Sequence, residues 1–231
     1  MVPMTLDCSL LNLVAHEMRA PLAIIEGYLS MLDNDDLDEA GRGEARRVMK
    51  VKAKELDALA DLLVTAARLE TTELLREPAV FDIHEAVAAA VQRIEPRARL
   101  DGATVEAFGI ETPAWVYVDR GQVTRVLTNL LHNALTYSVP SAQVAIEVRA
   151  GQPVEVAVTD RGVGIAAEHQ ARIFERFSRF NDGGPNRTSG LGLGLSISRD
   201  LAELNDGELL LERSAPGEGS VFVLRLPVIE S

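Results

Sequence analysis

Two long helical patterns in the first 70 residues constrain the fold of this chain more than any other feature. A run of acidic and amide residues at 33–36 separates them, so the first spans 5–32 and the second about 43–70. Two long helices joined by a short polar loop predict an antiparallel helical hairpin. Apolar side chains recur along the first helix at steps of four and three residues, at Leu10, Val14, Met18, Leu22, Ile25, Leu29 and Leu32.

These seven residues form an apolar stripe on the first helix. A hairpin of two helices buries too little apolar surface to be stable by itself. The stripe therefore needs a second surface to cover it. We expect residues 1–70 to pair with a second copy of the chain, so that a homodimer forms a four-helix bundle.

Beyond Glu77-Pro78 the sequence changes to short alternating runs that are typical of strands, with helical patterns between them. This mixture predicts an α/β sandwich over residues 80–231, with residues 71–79 as a linker. The predicted strands are 104–108, 115–118, 143–149, 153–159, 207–212 and 219–226, and the predicted helices are 83–95, 119–137 and 192–205.

Composition excludes some classes of function. The chain has 35 acidic and 23 basic residues, and a phosphate backbone would repel its net charge of −12, so we expect no direct nucleic-acid binding. No apolar run reaches the roughly 18 residues that span a bilayer. We therefore expect a cytoplasmic chain that meets a membrane only through segments outside this sequence. Its single cysteine, Cys8, cannot form an internal disulfide, which agrees with a reducing compartment.

His16 is a candidate nucleophile on the first helix. It lies about 200° around the helix from both Val14 and Met18, so it faces away from the apolar stripe and should be accessible. A neutral imidazole offers a lone pair, and the adjacent Glu17 could take the ring proton. Pro21 leaves the Glu17 carbonyl without its helical partner, so we expect a bend beside His16. Considered alone, an exposed histidine on a helix more often has no special role.

Asn129 and Asn133 lie four residues apart on a predicted helix, with Tyr137 one turn further along. The three side chains therefore share a face, and two stacked amide oxygens can hold a hydrated hard cation. A polar helix face with incidental asparagines explains the same pattern.

Two glycine-containing runs follow predicted strands or precede a helix. In the first, Asp160 ends an apolar strand and Gly162 and Gly164 allow close backbone approach, although a plain turn explains these residues equally well. In the second, Gly190, Gly192 and Gly194 lead into a helix, where backbone N–H groups can face phosphate. The segment 181–189 before it is rich in glycine and asparagine, and we expect it to be a mobile lid.

In this order, the motifs resemble those of the sensor histidine kinases over nearly the whole chain. The resemblance implies a GHKL (Bergerat) type ATP-binding domain after the helical hairpin, in a bacterial two-component system. The corresponding motifs are His16–Leu22 for the H box of the dimerisation and histidine phosphotransfer domain, Asn129–Tyr137 for the N box, Asp160–Ile165 and Gly190–Leu195 for the two glycine boxes, and Phe174, Phe177 and Phe180 for the F box.

The resemblance also implies roles for individual residues. ATP would bind with Asp160 on the adenine amino group, Tyr137 near the adenine, and the glycines of 190–194 along the phosphates. Asn133 would be the magnesium ligand, assisted by Asn129. The γ-phosphoryl group would pass to His16 and then to an aspartate in the receiver domain of a response regulator.

Two positions depart from the family pattern. The N box usually has a lysine before its tyrosine, but this position is Thr136, and the three lysines all lie at 50–54. A phosphate cation is therefore missing, and Arg187 in the lid is the first candidate to replace it, followed by Arg176 and Arg179. The H box usually has threonine or asparagine four residues after the histidine, where this chain has Ala20.

Three alternative functions remain open at this point. The ATP-binding fold without a hairpin resembles gyrase and MutL-type ATPases, and also anti-sigma kinases that phosphorylate serine. The hairpin with His16 argues against both. A degenerate kinase that serves as a dimeric scaffold is the third, since the missing lysine at Thr136 would allow it.

Overall fold

A computed structural model describes residues 8–34, 36–70, 76–109, 111–138, 142–178 and 191–228. The described chain falls into two compact units, a helical one at the N-terminus and an α/β one that follows it.

The helical unit consists of α1 (Cys8–Asp33) and α2 (Glu39–Glu70), which pack against each other. Helix α1 continues through Pro21 without a break in its assignment. Three large side chains of the apolar stripe stay exposed, with Met18 at 39%, Leu22 at 45% and Leu29 at 46%. A single copy of the helical unit therefore leaves much of the stripe in contact with water.

Helix α2 begins four residues earlier than the sequence pattern predicted. The Asp38 carboxylate accepts a hydrogen bond from the Gly41 backbone N–H at 2.7 Å, as an N-terminal cap does. Gly41 and Gly43 have low helix propensity, so the sequence predicted a later start for this helix. The cap stabilises the first turn of α2 despite the low helix propensity of these two glycines.

The α/β unit contains a five-stranded sheet in the order β2-β4-β5-β7-β6 and a two-stranded sheet of β1 and β3. Only β2 and β4 pair in parallel among the described strands. Helices α3, α4 and α6 pack against the large sheet. The elements are β1 (Ala79–Asp82), α3 (Ile83–Leu100), β2 (Thr104–Phe108), β3 (Trp115–Val118), α4 (Arg120–Tyr137), β4 (Gln143–Arg149), β5 (Val154–Thr159), α5 (Ala167–Gln170), α6 (Gly194–Leu204), β6 (Glu208–Ala215) and β7 (Gly219–Leu226).

Several predicted boundaries in this unit were wrong. Strand β1 and helix α5 were not predicted, and α3 runs past Pro96 to Leu100 instead of ending at 95. The last turn of α3 is held by an ion pair between Arg97 Nε and Asp101 Oδ2 at 2.6 Å and by the Asp101 N–H to the Arg97 carbonyl at 3.0 Å. These contacts stabilise the turn after the proline.

Part of the predicted linker is bound to the α/β unit. The Glu77 N–H donates to Asp119 Oδ2 at 2.9 Å, and Arg76 forms an ion pair with Asp206 at 2.5 Å. The domain limits given above, with a linker over 71–79, stay a prediction.

Among the described helices, none combines the length and apolar character that crossing a membrane requires.

Candidate functional site

Helix α4 organises the candidate site. The Asp119 carboxylate caps its N-terminus by accepting the Gln122 N–H at 3.0 Å. One side of α4 is buried in the unit, whereas Asn129 and Asn133 are half-buried and Tyr137 is 42% exposed. These three side chains lie along one face, as the four-residue spacing indicates.

Asn129 is held against the first turns of α6. Its Nδ2 donates to Ser198 Oγ at 2.9 Å. Gly194 begins α6, and a Cβ added there would lie only 2.5 Å from Asn129 Oδ1. The glycine therefore gives the Asn129 amide its space, and the contact joins the predicted N box to the second glycine box.

Asn133 and Thr136, further along α4, differ in their hydrogen bonding. Thr136 Oγ1 donates to the His132 carbonyl at 2.8 Å, so the hydroxyl that stands where the family has lysine is bonded to its own helix. The Asn133 side chain forms no hydrogen bond with any residue that the structure describes. Among the described residues it therefore has no hydrogen-bond partner that a ligand would have to displace.

Asp160 is a buried carboxylate at the end of β5, only 7% exposed. Its Oδ1 accepts the Gly162 N–H at 2.8 Å, and its own N–H donates to the Ser220 carbonyl at 3.0 Å. Burial raises the pKa of Asp160, and hydrogen bonds from the backbone of Gly162 and Ser220 oppose this shift. The carboxyl group is thus fixed in position and poorly hydrated, as a specific acceptor for an amino group must be.

The first glycine run packs directly onto α4 and β6. The Val163 N–H donates to the Tyr137 carbonyl at 3.1 Å, and a Cβ on Gly162 would lie 2.3 Å from that oxygen. Gly164 has φ +67°, and a Cβ there would lie 1.8 Å from the Ala215 carbonyl oxygen. The structure thus explains both glycines by close backbone packing.

This packing makes a testable prediction about Gly164. Gly164→Ala should lower the unfolding free energy by roughly 3 kcal/mol or more, because left-handed strain and a backbone clash add together. Gly217→Ala is the matched control, since Gly217 has φ +79° but no atom within 4 Å of an added Cβ. Denaturant unfolding should show a loss of about 1 kcal/mol for the control. Equal losses for both variants would show that the Ala215 clash contributes nothing.

The predicted F box is only partly described. Phe174 packs edge-on against Phe222 at 6.3 Å between ring centroids, and the Phe177 N–H donates to the Gly192 carbonyl at 2.8 Å. Arg176 pairs with Asp200 at 3.0 Å, so using it as the missing phosphate cation would mean giving up this ion pair. Phe180, Arg179, Arg187, Gly190 and the predicted lid at 181–189 lie outside the described residues.

His16 belongs to the helical unit and is exposed, which confirms the predicted accessibility of its side chain. Glu17 beside it is 7% exposed. Both nitrogens of another histidine, His84, are engaged, with Nδ1 at 2.6 Å from Asp82 Oδ1 and Nε2 at 3.1 Å from the Gly109 carbonyl.

Sequence reasoning missed two buried polar residues near the site. Ser198 is the partner of Asn129, and its place one turn after Gly194 was the only available signal. Asn205, fully buried, accepts the Asp119 N–H at 2.7 Å and donates to Gln122 Oε1 at 2.8 Å. It fixes the start of α4 to the end of α6.

Comparison with known proteins gives a family match for most of the α/β unit. Residues 118–230 match the family described as histidine kinase-, DNA gyrase B-, and HSP90-like ATPase. The sensor-like histidine kinase SenX3 of Mycobacterium tuberculosis is 34% identical over 220 residues, which are 94% of this chain and 52% of SenX3. This chain therefore spans about half the length of that curated relative.

Solved structures agree with this match. The full-length ShkA structure in complex with AMPPNP is 26% identical, has a TM-score of 0.65, and is matched over 96% of this chain and 46% of ShkA. The Acinetobacter baumannii histidine kinase AdeS has a TM-score of 0.61 at 23% identity, over 93% of this chain and 98% of that one, and supports the fold alone. Residues 118–230, which make up most of the α/β unit, thus resemble the histidine kinase-, DNA gyrase B-, and HSP90-like ATPases, and the similarity to histidine kinases extends over nearly the whole chain.

Proposed function

We propose that this chain transfers the γ-phosphoryl group of ATP to His16 and then to an aspartate in the receiver domain of a response regulator. The observation that carries the proposal is that Asn129 and Asn133 share a face of α4, while the glycine run that follows the buried Asp160 is hydrogen-bonded to the end of the same helix, at the Tyr137 carbonyl. An exposed histidine with an adjacent acid lies on α1 of the same chain.

In this proposal ATP binds to the α/β unit. Asp160 accepts a hydrogen bond from the adenine amino group, and Tyr137 packs near the ring. Gly190, Gly192 and Gly194 bring backbone close to the phosphates, and Arg187 supplies the charge that Thr136 lacks.

The donor set fits magnesium bound together with the phosphates. No group of three or more His, Cys, Asp or Glu side chains lies together in the described ranges, so these residues alone would not build an all-protein metal cage. Mg²⁺ usually keeps waters and takes few protein ligands beside substrate phosphates. Asn133, with Asn129 assisting, would hold it through amide oxygens, and the ion would neutralise phosphate charge.

The chemistry at His16 is a phosphoryl transfer. The imidazole lone pair attacks the γ-phosphorus, the bond to the β–γ bridging oxygen breaks, and ADP leaves with that electron pair. Glu17 accepts the ring proton. Positioning and charge neutralisation supply most of the rate in such reactions.

A kinase of this type would be a homodimer through its helical unit. The exposed Met18, Leu22 and Leu29 support this, because a second copy could cover them in a four-helix bundle. Light scattering at micromolar concentration should give about twice the 25.0 kDa chain mass. Leu22→Glu, which places a charge on the stripe, should shift the mass toward one chain. A concentration-independent monomer for the unchanged protein would contradict the dimer.

The test of the proposed function is incubation with γ-labelled ATP, followed by acid treatment. Phosphohistidine loses its label in acid and phosphoserine does not, so acid-labile label supports the proposal. Acid-stable label would favour a serine kinase instead. Nucleotide binding without any label would favour a degenerate kinase that serves as a dimeric scaffold. ATP hydrolysis without any label would favour a gyrase-like ATPase.

The residue at position 20 predicts a weak phosphatase. Ala20 is exposed one helical turn after His16, and it has no group to orient the water that attacks a phospho-aspartate. The unmodified protein with ADP should barely accelerate decay of a purified phosphorylated regulator, whereas Ala20→Thr should accelerate it at least tenfold. Marked acceleration by the unmodified protein would contradict this, and would point to Arg19 or Glu17 as the group that orients the water.

A further inference from the structure

Ser198 is a buried hydroxyl whose position suggests a role at the nucleotide site. It is 2% exposed, lies on α6, and its Oγ accepts a hydrogen bond from Asn129 Nδ2 at 2.9 Å. Neither residue is a neighbour of the other in sequence, so this contact joins the two helices that flank the candidate site. A buried amide N–H₂ without such a partner would be costly.

The contact also sets the orientation of the Asn129 amide. With Nδ2 bonded to Ser198, Oδ1 lies beside Gly194 at the first residue of α6, where an added Cβ would be 2.5 Å away. An amide oxygen is a ligand for a hard cation, whereas an amide N–H₂ is not. Rotation of this amide would present the wrong end.

We propose that Ser198 is a positioning residue that holds the Asn129 amide with Oδ1 toward the magnesium and phosphates of bound ATP. The inference rests on the function proposed above for Asn129. Partners that orient a metal ligand from behind commonly contribute ten- to hundredfold to metal affinity. Without Ser198 the Asn129 amide could rotate. Loss of Ser198 should therefore weaken magnesium-dependent binding of ATP but leave the binding of nucleotide without magnesium nearly unchanged.

The chain offers a closely matched control in Ser196. It is also 2% exposed on α6, but its Oγ donates to the Leu193 carbonyl at 2.9 Å and has no contact with Asn129 in the hydrogen bonds of the described residues. Ser196→Ala and Ser198→Ala each remove one buried hydroxyl from the same helix. A difference between them reports on the Asn129 contact and not on burial.

The experiment measures the affinity of the full chain for a non-hydrolysable ATP analogue, with magnesium and with a chelator. Ser198→Ala should lose about tenfold in affinity with magnesium and less than twofold with the chelator. Ser196→Ala should be unchanged in both conditions. Ser198→Cys, which keeps the shape of the side chain with a slightly larger atom and a weaker acceptor, should give an intermediate loss and replaces Ser198→Ala if that variant does not fold.

A double-mutant cycle distinguishes positioning from packing. In an Asn129→Ala background, Ser198→Ala should produce no further loss, because the side chain through which it acts is gone. Equal effects of Ser196→Ala and Ser198→Ala, or an additive effect in the Asn129→Ala background, would overturn the inference. Should Asn129→Ala leave magnesium-dependent affinity intact, the role proposed for Asn129 fails first. If Asn129→Ala lowers the magnesium-dependent affinity and Ser198→Ala does not, only the positioning role of Ser198 is refuted.

Discussion

Replacement of His16 by glutamine is expected to abolish acid-labile labelling from γ-labelled ATP while leaving ATP affinity within about twofold. Glutamine keeps a polar side chain on the exposed face of α1 but has no lone-pair nitrogen that can attack phosphorus. The residues proposed to bind the nucleotide belong to the other unit, so ATP binding should not depend on this change. A filter assay for label and a titration with a fluorescent nucleotide measure the two quantities.

The other histidines provide the control for this variant. His169→Gln changes a histidine on the short helix α5 and should retain full labelling. His84 is less suitable, because both ring nitrogens have partners in Asp82 and Gly109 and its loss would disturb the fold. Persistent acid-labile label in His16→Gln would end the assignment of His16.

Replacement of Asp160 by asparagine is expected to weaken ATP binding by about ten- to hundredfold, the usual value of a hydrogen bond to a charged acceptor. An amide oxygen can still accept the Gly162 N–H, but the new N–H₂ group opposes the adenine amino group. Calorimetric titration of ATP into the variant measures the loss. Asp101→Asn, at an ion pair of the α3 terminus, is the control and should bind ATP normally.

Although Asp160→Asn should weaken ATP binding, it should not lower the stability of the fold. The raised pKa of Asp160 means that the folded domain binds this proton more tightly than the unfolded chain does. The ionised carboxylate therefore lowers stability at neutral pH, and this cost disappears as pH falls through the range in which the group becomes protonated. Asp160→Asn should consequently melt at the same or a higher temperature at pH 7, with no gain near pH 3. A collapse of the melting temperature with normal ATP affinity in the folded fraction would show that Asp160 is structural.

The sequence predicted those parts of the fold that local patterns encode. Helix α4 and strands β3, β4 and β7 were correct to within a residue, because α4 has a helical apolar pattern and each strand is a short run rich in apolar and β-branched residues. Strand β1 is only four residues long and is defined by its pairing with β3, which no local pattern shows. The end of α3 was misplaced because the helix continues past Pro96 with Ala98 buried in the unit and an Arg97–Asp101 ion pair in its last turn, and no local pattern shows the packing around Ala98.

In the candidate site, too, features set by local patterns were predicted and features set by contacts between distant segments were not. The face shared by Asn129 and Asn133 follows from helical geometry, and Asp160 follows from its place at a strand end. Partners from distant segments could not be predicted, since Ser198 meets Asn129 only through the packing of α6 on α4. Gly162 and Gly164 are explained by close approach to the carbonyls of Tyr137 and Ala215 without any ligand, so the nucleotide contact predicted for them stays a prediction.

The central claim is that the γ-phosphoryl group of ATP becomes attached to the imidazole of residue 16. The most direct measurement is to incubate the unmodified chain with ATP and magnesium, digest it at neutral or mildly basic pH, and locate the added phosphoryl group by fragmentation mass spectrometry. We expect one phosphoryl group on His16, lost after acid treatment. A phosphoryl group on serine, threonine or a different histidine, or no modified peptide from a chain that binds ATP, would contradict it.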